Sequence, residues 1–299
     1  MVIFEKIAIL GVGLMGGSLA LAAKNAGVVK KIVGWSRTKE TLDKALANSI
    51  IDIVEPDFEK AITDVDCVVI ATPAILTESL LLEVVSKLPS SVTITDVSSV
   101  KGNLFSSLIR KFGEIPSNVV LAHPIAGSEH SGIDAVNKSL YENHKVILIE
   151  DEFKKSHPIS ESFNKIKSLW DSVGAEVITM SVEDHNDVLS LTSHLPHLLA
   201  YSLVKELSLK DSSKSINICD FAAGGLRDFT RIASSNPVMW SEICLANKEN
   251  ILCSLSSFQD RLINLMELIN KEDSESIENF FDEAKKFRNE FISQINKNN

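Results

Sequence analysis

Lys6-Ile7-Ala8-Ile9-Leu10-Gly11-Val12-Gly13-Leu14-Met15-Gly16 is the stretch that decides how this chain folds. Five residues of β-strand character run into a glycine-punctuated turn, and a helical pattern opens at its far end. The glycines fall as G-x-G-x-x-G in the strand–turn–helix setting that gives this spacing its meaning. Gly11 permits the tight turn, Gly13 leaves the backbone bare for a pyrophosphate, and Gly16 lets helix and strand approach closely. The helix start, Leu14 and Met15 included, offers unpaired N–H groups and a favourable dipole to an anion. A glycine-rich turn without a ligand is the bland alternative; the context argues for dinucleotide binding.

Residues 31–35, 67–71, 92–96, 119–122, 145–149 and 175–179 also read as strands, with helical patterns such as 18–26, 38–48 and 76–88 among them. Near-continuous apolar strands separated by helices indicate a parallel sheet covered on both faces. The expected class is therefore α/β: a doubly wound, mainly parallel, Rossmann-like sheet. After about residue 180 the strand signals stop, and 188–207, 240–269 and 274–295 carry helical periodicity. This predicts a dinucleotide-binding domain over 1–180 and an all-helical substrate and dimerisation domain over 181–299. Residues 251–269 are apolar on more than one face, which fits either a homodimer interface or an ordinary central core helix.

Composition narrows the function classes. The 299 residues carry a formal net charge of -10 and no Lys/Arg block, which argues against nucleic acid and anionic membrane surfaces as partners. Cys67, Cys219, Cys244 and Cys253 form no C-x-x-C pair, and Cys67 reads as a buried structural thiol. With no disulfide framework, no signal-peptide pattern and no apolar run of spanning length, the expected setting is the cytoplasm.

At the end of the second strand, an Asp or Glu usually bonds the ribose 2′-hydroxyl of NAD. Here the segment is Ser36-Arg37-Thr38, with no acid. Two hydroxyls and a guanidinium suit a 2′-phosphate, so NADP is favoured, with NAD the alternative if Arg37 stacks on the adenine. Ala71-Thr72-Pro73 and Asp96-Val97-Ser98-Ser99-Val100-Lys101-Gly102 end neighbouring strands beside the same cleft.

Three further segments carry chemistry. His123-Pro124-Ile125-Ala126-Gly127-Ser128-Glu129-His130-Ser131-Gly132 follows an apolar strand and gathers two imidazoles, a carboxylate and two hydroxyls. A satisfied polar loop is its unexceptional reading. In Ser193-His194-Leu195-Pro196-His197 the two histidines share a helical face, as a substrate-contacting or a structural pair. No carboxylate-rich partner accompanies them, so no metal is expected. Gly224-Gly225-Leu226-Arg227-Asp228-Phe229-Thr230-Arg231, with Trp240 nearby, suits an anion-binding cleft, because guanidinium grips carboxylates bidentately; the ordinary alternative is a solvated helix face.

Taken together, these segments resemble the prephenate/arogenate dehydrogenase family over nearly the whole chain. The glycine turn is generic, whereas 123–132, 193–197 and 227–240 are specific to that family. The resemblance implies that His123 contacts the substrate ring hydroxyl, with Ser99 supporting that contact. It implies that Arg231 binds a substrate carboxylate, that His197 lines the pocket, and that Glu129 and Asp228 help gate it. It also implies oxidative decarboxylation of prephenate, with arogenate as the alternative substrate. No chorismate mutase extension or regulatory domain is expected. A β-hydroxyacid dehydrogenase is a competing reading, but such enzymes use a Lys on the first interdomain helix, and here His194 and His197 precede the first Lys, Lys205. A non-catalytic NADP-binding module is the remaining alternative.

Overall fold

A computed structural model describes residues 1–128, 130–150, 160–211 and 218–298. Its first part alternates β1 (Phe4–Leu10), α1 (Leu14–Asn25), β2 (Val29–Trp35), α2 (Lys39–Ala47), β3 (Ile53–Val54) and α3 (Phe58–Ala61). It continues with β4 (Cys67–Ile70), α4 (Ala74–Lys87), β5 (Thr93–Asp96), α5 (Gly102–Phe112) and β6 (Val119–Val120). These strands form one parallel sheet in the order β3-β2-β1-β4-β5-β6. This is the doubly wound order, with its reversal between β1 and β4.

Successive residues of the central strands enter different cores. Ile7, Ile9, Cys67 and Val69 lie in one buried cluster, whereas Ala8, Leu10, Val68 and Ile70 lie in the other. Period-two alternation sends neighbouring side chains to opposite faces, and helices cover both, so every position must be apolar. Cys67 belongs to this packing, and burial pushes its thiol upward.

Register then aligns the strand ends. Leu10 pairs with Trp35 and with Ile70, and Ile70 pairs with Asp96. Gly11, Ser36, Ala71 and Val97 therefore all leave the sheet at one edge, where doubly wound folds bind ligands.

The expected strand over 119–122 divides. β6 closes the parallel sheet, while β7 (Ala122–Pro124) pairs antiparallel with β8 (Lys145–Ile149), which runs parallel to β9 (Glu176–Met180) in a separate three-stranded sheet. The chain changes sheets at Leu121, whose carbonyl accepts from Ile149 N at 2.9 Å. Asp96 Oδ1 accepts from the next amide, Ala122 N, at 3.2 Å. The run 119–122 is apolar throughout, so the sequence does not mark the switch. His123 consequently sits inside β7, not in the loop beyond it.

After α6 (Glu161–Ser172) and β9 the described chain is helical: α7 (Val182–Leu189), α8 (Leu195–Asp211), α9 (Gly224–Thr230), α10 (Pro237–Ala246), α11 (Lys248–Asn270) and α12 (Ser274–Asn298). A π turn over Ser190–His194 joins α7 to α8. The continuous helix expected over 240–269 breaks at Asn247, whose side chain donates to Asn186 O at 2.9 Å and to His194 Nδ1 at 3.2 Å. Two compact units result, Met1–Lys248 and Glu249–Asn299. The change of periodicity near residue 180 thus falls inside the first unit. In the second, Leu262, Ile263, Met266, Ile269, Phe281 and Phe287 are exposed.

Candidate active site

The glycine turn meets the demands of its backbone. Gly11 has φ +103°, and a Cβ there would lie 2.5 Å from the Ala71 carbonyl oxygen. A Cβ on Gly16 would lie 2.2 Å from the Gly11 oxygen and 2.8 Å from Ile9 Cγ2. Gly13 differs: a Cβ there would meet nothing within 4 Å. The fold therefore requires the first and third glycines, whereas the second leaves open space of the kind a pyrophosphate would fill. Gly13 caps α1 without a side-chain bond, and the first turn carries no acid, so its N–H groups remain available to an anion.

Around this cradle, Ser36 is half-buried at the end of β2, while Arg37 and Thr38 are exposed. Thr72 and Pro73 lead into α4, where Thr77 Oγ1 donates to the Thr72 carbonyl at 3.0 Å. The residues that sequence reading assigned to the cofactor are thus gathered at the switch point.

The neighbouring cleft has a volume of about 410 Å³ and is lined by Gly127, Ser128, His197, Arg231, Ile232, Ser234 and Ser235. It joins the segment after β7 to the first turn of α8 and the turn after α9. His197 stacks on Trp240, with centroids 4.0 Å apart and planes 24° apart, while its Nδ1 donates to the Ser193 carbonyl at 2.8 Å. Burial lowers the His197 pKa, and the Arg231 charge adds to the shift. Trp240 is buried, and among the described residues its indole N–H finds no acceptor, which leaves a donor beside the cleft.

His123, four residues before Gly127, is outside the lining of this cleft and buried at 7% exposure. Its Nδ1 is 2.8 Å from Nε2 of His185 on α7, and His185 Nδ1 is 3.1 Å from Asn186 Oδ1. Burial holds His123 well below the usual imidazole range, and the His185, Lys101 and His194 charges add to the effect. This ring therefore stays neutral further into acid than a free imidazole.

Other assigned residues sit apart from the lining. His194 is buried against Asn247 and meets Trp240 edge-on at 6.1 Å, and burial lowers its pKa to about 4. Of the pair 194 and 197, only His197 lines the cleft; it stacks on Trp240, whereas His194 is held by Asn247. Arg227 and Asp228 are exposed on α9. Ser99 is half-buried between β5 and α5. Glu129 lies outside the described residues.

Asp96 ends β5 and Lys101 precedes α5, and the sequence alone marks no role for them. Both are fully buried and form an ion pair. Asp96 also accepts from Ser98 N at 2.9 Å and from Ala122 N, so the pair ties the β5–α5 crossover to the residue preceding His123. Burial drives Asp96 up and Lys101 down, and each charge opposes the other's neutralisation. An acid ending an apolar strand with a Lys five residues on was the available signal. His185 gave no comparable signal, because its partner is 62 residues away.

A doubly wound sheet with this cradle, beside a cleft of imidazole and guanidinium, defines a dinucleotide-dependent oxidoreductase. Residues 19–179 match the model of the prephenate dehydrogenase nucleotide-binding domain, and 181–283 match that of the prephenate dehydrogenase dimerization domain. The chain belongs to the prephenate dehydrogenase family. It is 32% identical to cyclohexadienyl dehydrogenase from Zymomonas mobilis, over 96% of both chains. It is 34% identical to prephenate dehydrogenase from Bacillus subtilis, over 95% of this chain and 75% of that one. The crystal structure of prephenate dehydrogenase from A. aeolicus, in complex with hydroxyphenyl propionate and NAD+, superposes with a TM-score of 0.87 at 34% identity, covering 96% of this chain and 98% of that one. No described helix is long and apolar enough to cross a membrane.

Proposed function

We propose that this protein oxidatively decarboxylates prephenate to 4-hydroxyphenylpyruvate, with His123 as the proton acceptor and Arg231 as the carboxylate anchor. The observation that carries this reading is the cleft in which Gly127 and Ser128 of the 123–132 segment meet His197 and Arg231. A nicotinamide bound at that cradle supplies the hydride acceptor. His123 takes the proton of the C4 hydroxyl as C4 gives up its hydride. Loss of the ring carboxylate as CO2 then returns an electron pair to the ring, and His123 restores the proton to the phenolate. No net proton is consumed, and aromatisation supplies the driving force.

The protein's contribution is alignment and a neutral base. Arg231 can grip a carboxylate bidentately and so fix the distance between C4 and the hydride acceptor. Ser99 supports the hydroxyl contact, His197 lines the cleft, and Trp240, stacked on His197, is assigned to substrate binding from behind it. Glu129, Asp228 and His194 remain assigned to gating and to support of the pocket. Because burial holds His123 well down, the acidic limb of kcat/KM is expected well below pH 6.5.

The exposed Arg37 and the absence of an acid after β2 favour NADP over NAD. We assign 1–180 to the dinucleotide and 181–299 to substrate and dimerisation; the exposed apolar side chains of 249–299 fit a second copy of the chain, in the cytoplasm. Cofactor reduction measured with prephenate, arogenate and a 3-hydroxy acid, each with NAD and NADP, tests the reading. Fastest turnover on prephenate with NADP is expected, with the cofactor preference reversed in Arg37→Asp. Turnover of the 3-hydroxy acid alone refutes the substrate, and an unchanged preference in Arg37→Asp refutes the role of that residue.

A further inference from the structure

The proton acceptor proposed above is one end of a three-residue chain. Asn186 Oδ1 can only accept, so the His185 Nδ1 that faces it at 3.1 Å carries a hydrogen. In a neutral ring that leaves His185 Nε2 as a bare lone pair, 2.8 Å from His123 Nδ1. Two lone pairs at that distance would repel, so His123 Nδ1 carries the hydrogen that bridges them. The His123 Nε2 is then the bare nitrogen.

We propose that Asn186 and His185 fix the tautomer of His123, holding Nδ1 protonated so that Nε2 presents its lone pair to the substrate hydroxyl. The proposal rests on the reading of His123 as the base, and it makes His185 and Asn186 positioning residues. Neither touches the reacting atoms.

The surroundings hold the chain in one arrangement. The Asn186 carbonyl accepts from Asn247 Nδ2 at 2.9 Å, which pins the backbone in the middle of α7. Its amide occupies the place of a missing side chain: a Cβ on Gly102 would lie 2.6 Å from Asn186 Nδ2. Glycine at 102 therefore makes room for the group that starts the relay. The charged and titratable groups facing the two rings are Lys101, whose Nζ is paired with Asp96, and His194. Asp96 already accepts from Lys101, Ser98 N and Ala122 N, so it does not compete for the His123 proton. With a buried cation beside them, both rings are held neutral, as the direction of their shifts also indicates. Only a neutral ring has a tautomer to choose, and the choice decides whether the base is present at the substrate-facing nitrogen.

Long-range 1H–15N spectra of the histidine-labelled protein at neutral pH read the tautomers directly, with His123→Asn and His185→Gln used for assignment. Pyrrole-type Nδ1 and pyridine-type Nε2 are expected for both His123 and His185; a pyrrole-type Nε2 on His123 overturns the relay. In turnover, His185→Leu is expected to lower kcat on the order of tenfold or more, inside the range general-base catalysis can supply, with KM changed less than about twofold. His185→Gln, whose amide oxygen can accept from His123 Nδ1, should recover most of that loss. An unchanged kcat in His185→Leu overturns the relay. Should His185→Leu fail to fold, Asn186→Leu on the half-buried neighbour carries the same expectation, with a smaller loss. Lost turnover in His123→Asn alongside full turnover in His185→Leu overturns the relay alone. Full turnover in His123→Asn overturns the base assignment beneath it.

Discussion

Acid should unfold this protein through its buried histidines before it reaches the carboxylates. His185 and His194 are 1% and 2% exposed, and burial lowers each to about 4 from the ordinary 6.5. The unfolded chain takes up these protons as the pH falls through 6.5, whereas the folded chain refuses them until about 4. Each group therefore contributes its full stability above pH 6.5 and loses it progressively down to about pH 4. Evaluated between pH 8 and pH 5, the difference is about 2 kcal/mol for each ring, by the linkage of proton uptake to folding. Two such rings remove about 4 kcal/mol, a large share of the roughly 5–15 kcal/mol that holds a typical domain together. The perturbation is His194→Gln, which deletes one titration while keeping an acceptor for Asn247 Nδ2. Urea denaturation of both proteins at pH 8 and pH 5, at one protein concentration, isolates the imidazole because every carboxylate contribution cancels. The parent should lose about 2 kcal/mol more than the variant across that interval. Parallel losses in the two proteins would refute the reasoning.

Gly13→Ala should leave the melting temperature unchanged but raise the cofactor KM, since its Cβ meets only open space on the protein side. Gly16→Ala should instead destabilise by roughly 1–3 kcal/mol, because its Cβ would fall against the Gly11 carbonyl and Ile9. Thermal melts beside cofactor titrations separate the two outcomes. Lys101→Met strands a fully buried carboxylate and should cost about 3–5 kcal/mol in urea denaturation, with the Asp96→Asn, Lys101→Met double variant losing less. Arg231→Ala should raise the prephenate KM about tenfold or more while kcat moves little, as steady-state kinetics would report.

Much of this protein was legible because its rules are local. The glycine turn, the apolar strands and the helical second half follow from periodicity and from the stereochemistry of glycine, which need no knowledge of distant residues. Tertiary structure decided what depends on long sequence separation. The run 119–122 splits between two sheets because Asp96 and Ile149 claim consecutive backbone groups of Leu121 and Ala122. The helix over 240–269 breaks because the side chain of Asn247 is drawn to Asn186 and His194.

The same division runs through the site. The types and spacing of His123, His197, Arg231 and Trp240 are written in the chain. That His197 reaches the cleft while His194 turns into the core is decided by partners far along the chain, Trp240 stacking on one ring and Asn247 holding the other. That His123 stays neutral, and which of its nitrogens is bare, depends on burial beside Lys101 and on contact with His185, a partner brought close by the packing of α7 on the β5–α5 crossover. Composition and spacing specify which groups are present; the dielectric and hydrogen bonds of the folded interior specify their protonation.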